Sequence, residues 1–191
     1  MTIVSPAPVL PAARLAPSTG AAPRALAELA AAIRGAVRKG LDWDMTARLV
    51  AARMRAHLPG PGILTPEQRA GDPAGYRTHL LHAEPDGSFS LLAMVWLPGQ
   101  VTTIHDHVTW CVFGVLAGIE HEELFTVEGG RLVRSGTSQN VTGEVSGFAP
   151  PGDIHRVRNI SDGVTISLHA YGADISRLGG SIRRTYDLPE A

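Results

Sequence analysis

From Gly75 onward the chain is cut at near-regular intervals by turn-forming clusters: Pro85-Asp86-Gly87, Pro98-Gly99, Glu128-Gly129-Gly130, Pro150-Pro151-Gly152 and Ser161-Asp162-Gly163. Proline fixes φ and removes a donor, glycine permits positive φ, and Asp bonds its own backbone, so each cluster ends a regular element. The segments between them are mostly too short for core helices. They read as strands over 76–84, 89–97, 100–106, 109–127 (broken at Gly118), 131–135, 144–149, 154–160 and 164–171. Eight or so short strands at this spacing, without internal repeats, predict a sandwich or barrel.

The N-terminal part differs. Residues 1–20 are rich in Pro and Ala and read as a flexible tail. Leu26, Leu29, Ile33 and Val37 then recur at helical spacing, with Gly40 as the stop. A second helix fits 44–57, with Met45, Leu49, Ala52 and Met54 on or near one face, until the Pro59-to-Gly62 run breaks it. Thr65-Pro66-Glu67-Gln68 has the chemistry of a helix start. The expected organisation is a tail over 1–20 and one domain over 21–191, with helices over about 23–70 and a barrel over about 75–188.

The 191 residues carry 17 basic and 18 acidic side chains, which gives no electrostatic case for nucleic acid or an anionic membrane. No apolar run reaches the roughly 18 residues of a membrane span. The first residues lack a basic start followed by an apolar stretch, so the expectation is a cytoplasmic protein. There is one cysteine, Cys111, against eight histidines. A disulfide within the chain or a multi-cysteine metal site is excluded, so any bound metal must rely on imidazole.

His105-Asp106-His107 ends a predicted strand, and residues two apart on a strand share a face. These two imidazoles can share one metal, with Asp106 facing away. A third follows about fifty residues on in Pro150-Pro151-Gly152-Asp153-Ile154-His155, where Gly152 permits the turn into a strand. Ser167, His169 and Tyr171 are spaced i, i+2, i+4, so on a strand all three face one side. Facing inward they form a polar relay that places a phenol near the metal. The alternative is a solvated outer face, with Leu168 and Ala170 as the buried set. The remaining residues read more plainly. His57 suits a helix C-terminus. His79 and His121 fit the surface or a pocket rim, and Glu120, Glu122 and Glu123 a solvated edge. Trp96, Phe89 and Phe113 fit the core, and Trp110 either the core or a pocket mouth.

Gly99-x5-His105-x-His107-x3-Cys111-x6-Gly118 resembles the first cupin motif, with Cys111 where the superfamily usually has a glutamate ligand. Pro150-x-Gly152-x2-His155-x3-Asn159 resembles the second, with its leading glycine out of place by one. The fold implied is mainly β, a cupin double-stranded β-helix or jelly-roll barrel with an N-terminal helical part. Together with Ser167-x-His169-x-Tyr171, these residues resemble the thiol dioxygenases, which include cysteine dioxygenase and the bacterial 3-mercaptopropionate dioxygenases. Trp110 and Gly172 look more like the mercaptopropionate branch.

The resemblance implies that His105, His107 and His155 hold Fe(II). It implies a small thiol carboxylate and O2 as substrates, with both oxygen atoms going to sulfur to give a sulfinate. Tyr171 would donate a hydrogen bond at the metal, held in place by His169 and Ser167. Cys111 falls where the animal enzymes form a thioether with the active-site tyrosine. It either crosslinks to Tyr171 here or is an ordinary small buried cysteine. Thr78 falls where the family has an Arg or Gln that fixes substrate, with Arg77 adjacent on the opposite face. The shorter Thr78 admits a thiol of different size, such as mercaptosuccinate or a thiolated heterocyclic acid. Arg183 and Arg184, with Arg177 less close, are the candidates for the substrate carboxylate, since a guanidinium fork suits a carboxylate. Trp110 is a candidate for lining the substrate pocket. The competing readings are another metal-dependent cupin enzyme and a non-catalytic ligand-binding cupin. The oligomeric state expected is a monomer or a small homo-oligomer.

Overall fold

The structure, a computed structural model, describes residues 21–188; the expected tail over 1–20 lies outside the described residues. Helix α1 (Ala21–Val37) buries Leu29 and Ile33 completely. Helix α2 (Trp43–His57) is capped by Asp42, whose side chain accepts from the Met45 amide at 2.8 Å. Its buried face is Thr46, Ala47, Val50, Ala51 and Met54, whereas Met45 is 47% exposed. The expected stripe through Met45 is therefore turned by about one residue. Alanines form much of the true face and contribute little to an apolar pattern. A 3-10 turn (Pro61–Ile63) and the short α3 (Pro66–Arg69) follow, the latter with a reciprocal Thr65/Gln68 capping box.

Among the described residues, ten strands then form two five-stranded antiparallel sheets. The first has the order β1 (Arg77–Ala83), β2 (Ser90–Trp96), β9 (Thr165–Tyr171), β4 (Cys111–Ala117), β7 (Val145–Phe148). The second has β10 (Ile182–Tyr186), β3 (Ile104–His107), β8 (Ile154–Asn159), β5 (Ile119–Glu128), β6 (Arg131–Val141). This is the mainly β, double-stranded β-helix expected, with its helical N-terminal part. The short helix α4 (Ile175–Leu178) links β9 to β10. Strand β3 starts later than expected because Val101 makes only an isolated bridge to Arg158. Strand β10 has no counterpart among the strands read from the sequence, where Arg183 and Arg184 obscure a short apolar–polar alternation.

Every residue of β9 is buried. Ile166, Leu168 and Ala170 join Leu29, Ile33, Val50 and Met54 in one apolar cluster under the helices. Ser167, His169 and Tyr171 therefore occupy the opposite, barrel-facing side. Their cross-strand neighbours agree: His169 sits opposite Leu92 on β2 and Phe113 on β4, and Tyr171 opposite Ser90 and Cys111. The polar stripe faces inward because the helices cover the other side.

Strand β10 is fastened to β3 by one carboxylate. Asp106 Oδ2 accepts from Arg183 Nη2 at 2.6 Å, Arg184 Nε at 2.9 Å and Nη2 at 2.6 Å, and the Tyr186 hydroxyl at 2.9 Å. Burial alone would raise the Asp106 pKa, but these donors bring it down to about 2. A carboxyl whose pKa falls on folding stabilises above its unfolded value, about 3.9, and that stabilisation is lost as the pH falls toward 2. Asp106→Asn should lower stability at neutral pH by about 2 kcal/mol. Urea midpoints should show the wild-type advantage shrinking between about pH 4 and pH 2; an unchanged midpoint at neutral pH would refute the role.

Candidate metal centre

Three imidazoles converge inside the barrel. His105 and His107 come from β3, where i and i+2 share the inner face, and His155 lies directly opposite His105 on β8. Gly152, at φ +104°, makes the turn that feeds β8, a conformation that side-chain-bearing residues rarely adopt. All three rings are buried, and one nitrogen from each lies within 4.8 Å of the others. His155 Nε2 and His105 Nε2 are 3.2 Å apart.

The opposite nitrogen of each ring is occupied. His105 Nδ1 meets the Thr103 carbonyl at 2.9 Å, His107 Nδ1 meets Asp153 Oδ2 at 3.1 Å, and His155 Nδ1 meets Glu122 Oε1 at 2.6 Å. A carbonyl or carboxylate only accepts, so each Nδ1 carries the proton and each Nε2 presents a lone pair. Burial, reinforced by mutual repulsion with His155, holds His105 and His107 well below the usual histidine pKa. Lone pairs only 3.2 Å apart in a buried site repel unless a cation lies between them. The donor set therefore fits a divalent metal, with the two carboxylates outside the ligand shell offsetting its charge.

Two of these partners differ from the sequence reading. Glu122 was expected on a solvated edge; it is 3% exposed and orients His155, and it also accepts from Ser138 Oγ at 3.1 Å. Burial raises its pKa, but the bond and charge of His155 together with the bond from Ser138 hold it below the ordinary carboxyl value. Glu120, expected beside it on the same edge, is fully buried. Strand β5 carries carboxylates where an inward face normally carries apolar residues, so apolar periodicity could not find that face. Period two over Glu120 and Glu122 was the only available signal. Asp153, which also accepts from the His107 amide at 2.8 Å, was missed for a different reason, since it reaches across to another strand.

The relay stands next to the imidazoles. Ser167 Oγ is 2.9 Å from His169 Nε2, and His169 Nδ1 is 3.4 Å from the Tyr171 hydroxyl. Cys111 Sγ lies 3.9 Å from the same Nδ1, and Cys111 and Tyr171 are directly opposed on β4 and β9. Burial pushes His169 down to about 3 and both Tyr171 and Cys111 well above their ordinary values, so all three are neutral. Leu80, Leu92, Ile175, Val108 and Phe148 pack around Cys111 and Tyr171.

A family model described as Cysteine dioxygenase type I matches residues 16–179. The chain belongs to this family. Among solved structures, the chain is similar to barrels of low sequence identity. An uncharacterized conserved protein with a double-stranded beta-helix domain from Klebsiella pneumoniae is 11% identical, covering 63% of this chain and 93% of its own, with a TM-score of 0.48. The Cupin_2 domain of an XRE family transcriptional regulator from Enterobacter cloacae is 17% identical over 50% and 94%, with a TM-score of 0.38. An oxalate oxidase in complex with glycolate is 13% identical over 62% and 63%, with a TM-score of 0.44.

The residues named for substrate are less concentrated than the ligands in this cysteine dioxygenase type I chain. Arg183 and Arg184, expected at the substrate carboxylate, are instead bonded to Asp106. Asp106 alternates with His105 and His107, so those guanidiniums lie on the side of β3 turned away from the imidazoles. Arg177 pairs with Asp174 at 3.0 Å and is 70% exposed. Arg77 pairs with Asp72 outside the barrel at 3.3 Å. Thr78 sits opposite Met94, in the inward row that continues to Ser167. Trp110 is 3% exposed and packs against Gly172 in the core under the helices, not at a pocket mouth. A cavity of about 590 Å³ is lined by Tyr76, Gln100, Thr103, Val108 and Ser181 among others; its lining holds no Asp, Glu, Lys or Arg and none of the three imidazoles.

Removing the charge behind His155 tests the centre. Glu122→Gln should weaken binding of a divalent metal by about 10–100-fold. Competition against a chromophoric chelator measures it; wild-type affinity in the variant would count against Glu122 as the group that fixes His155.

Proposed function

We propose that the chain is an Fe(II)-dependent thiol dioxygenase that converts a small thiol carboxylate to its sulfinate. The candidates are 3-mercaptopropionate, cysteine and a related thiol. The observation that carries this reading is three inward Nε2 lone pairs, each fixed by an acceptor behind it, beside a buried neutral Ser167–His169–Tyr171 relay in a cysteine dioxygenase type I chain. The overall change is RSH + O2 → RSO2H: two S–O bonds form, sulfur is oxidised by four electrons and dioxygen takes all four, so no further reductant is required. A bound ferrous ion supplies the Lewis acidity that lowers a thiol pKa and the electrons that activate dioxygen.

The protein's own contribution is positioning and exclusion of water. His105, His107 and His155 would hold the metal through their Nε2 atoms, with Tyr171 nearby. Tyr171 keeps its proton because burial raises its pKa, so it acts as a hydrogen-bond donor rather than as an anion. His169, fixed by Ser167, sets the direction of the phenol. The apolar residues around Cys111 and Tyr171 exclude water that would otherwise compete for that donor. Because Arg183 and Arg184 are engaged elsewhere, we assign a substrate carboxylate to the neutral donors of the cavity wall, including Ser181, Gln100 and Thr103. Cys111 faces Tyr171 across the sheet, so we also propose a thioether between them. Its C–S bond forms as Sγ–H and a ring C–H are lost, with dioxygen taking up the two electrons and two protons. The setting proposed is cytoplasmic, with no nucleic-acid or membrane partner.

Anaerobically iron-loaded protein should consume one O2 per thiol for at least one member of a panel containing 3-mercaptopropionate, cysteine and mercaptosuccinate, with a product heavier by two oxygen atoms. His155→Ala should abolish uptake, and Tyr171→Phe should lower it about 100-fold. No uptake above the His155→Ala background for any thiol would leave another cupin chemistry or a binding role. Intact mass after turnover should be lower by two hydrogens; an unchanged mass, with Cys111 alkylatable after denaturation, would refute the crosslink.

A further inference from the structure

One step beyond the opposed Cys111 and Tyr171, β4 and β9 meet in a contact that leaves no room for a side chain. Trp110 precedes Cys111, and Gly172 follows Tyr171. The Gly172 amide donates to the Trp110 carbonyl at 3.1 Å, which carries the pairing of β4 with β9 one residue past Cys111 and Tyr171. A β-carbon at Gly172 would lie closer than 3.0 Å to three atoms: Nε1 and Cε2 of the Trp110 indole and Oγ1 of Thr109. The φ of Gly172 is not positive, so its backbone would accept any residue. What demands glycine here is the close approach of the indole.

The surroundings decide what yields when that notch is filled. Trp110 is buried in the apolar cluster under α1 and α2, together with Val112, Leu168 and Ala170. A close-packed ring cannot swing aside without opening that cluster. Thr109 is buried as well. Just past Gly172 the chain is tied to β2, since the Ala173 carbonyl accepts from Ser90 Oγ at 2.7 Å. Added bulk at Gly172 therefore pushes the end of β9 away from Trp110. The first inward side chain on that end is Tyr171.

The indole also leads back to the imidazoles. Strand β3 ends at His107 and β4 begins at Cys111, so Val108, Thr109 and Trp110 form the whole connection between them. Both residues of the notch lie within three positions of His107. The His107 and Tyr171 rings stand 6.1 Å apart, centroid to centroid, and are tilted by 31°. Trp110 and Gly172 are thus a point where the chain bearing one ring is held against the chain bearing the other.

We infer that Gly172 is a positioning residue for Tyr171: its bare α-carbon seats the Trp110 indole, and that contact sets how far the phenol stands from the three imidazoles. The spacing belongs to the folded chain. Its effect on turnover rests on the thiol dioxygenase reading, in which Tyr171 donates a hydrogen bond at the metal site. A misplacement of about 1 Å can cost a reaction about 100-fold. In Gly172→Ala, kcat should fall by about 10- to 100-fold, no further than in Tyr171→Phe, with KM changed less.

The test uses the full-length protein loaded with Co(II), whose paramagnetism displaces nearby proton resonances steeply with distance. The ring resonances of Tyr171 are assigned by their loss in Tyr171→Phe. In Gly172→Ala they should move, while those of His105, His107 and His155 keep their wild-type positions. In the metal-free wild type, the Trp110 indole N–H should show a nuclear Overhauser contact to the α-protons of Gly172. Trp110→Leu, a second variant in case the first does not fold, releases the end of β9 from the other side and should also move the Tyr171 resonances. Unmoved Tyr171 resonances in Gly172→Ala, or no Overhauser contact in wild type, overturns the inference. So does a shift shared equally by Tyr171 and the imidazoles, which is general loosening, and so does a displaced Tyr171 with wild-type kcat. A displaced Tyr171 in a protein whose wild type consumes no thiol overturns the enzymatic reading and leaves the positioning role standing.

Discussion

Three lone pairs must be kept pointing at one another in a site closed to water, and much of the barrel interior follows from that constraint. Without a cation the arrangement is repulsive, and each ring would gain by turning or by taking a proton. Turning is prevented from behind by Thr103, Asp153 and Glu122, each an acceptor on Nδ1. Protonation is opposed by burial, which lowers His105 and His107. The acceptors come from a loop, a turn and a third strand, so the centre depends on the whole second sheet rather than on the His-x-His segment alone.

The same economy governs the first sheet. Strand β9 has no exposed residue, because α1 and α2 cover one side and the barrel interior the other. Its apolar residues anchor the strand to the helices, while its polar residues satisfy one another through Ser167, His169 and Tyr171. The relay is therefore fixed to a strand packed on both sides, and small shifts of the helices would be felt at Tyr171.

Much of this was legible in the residues. Turn clusters marked the strands, and period two placed His105 with His107 and Ser167 with Tyr171. Sequence pattern could not say which side of β9 faced inward, since both sides are buried and only the helices decide. It failed outright for Glu120 and Glu122, because carboxylates on an inward face read as a solvated edge by the ordinary rule. It failed for Arg183 and Arg184 because their partner, Asp106, is about eighty residues away in the chain and was itself read only as facing away. Polar burial arises from pairing across strands, and single-chain periodicity carries no record of it.

The fastening of β10 to β3 also has a consequence in time. Strand β3 carries two of the three ligands, yet it pairs with β8 at only one register position, His105 with His155. Its other neighbour is β10, which spans Ile104 to His107. During synthesis β10 leaves the ribosome after every other strand described, so the strand bearing His105 and His107 lacks that border until then. The strand that carries two of the three imidazoles is therefore bordered on both sides only once β10 has been made.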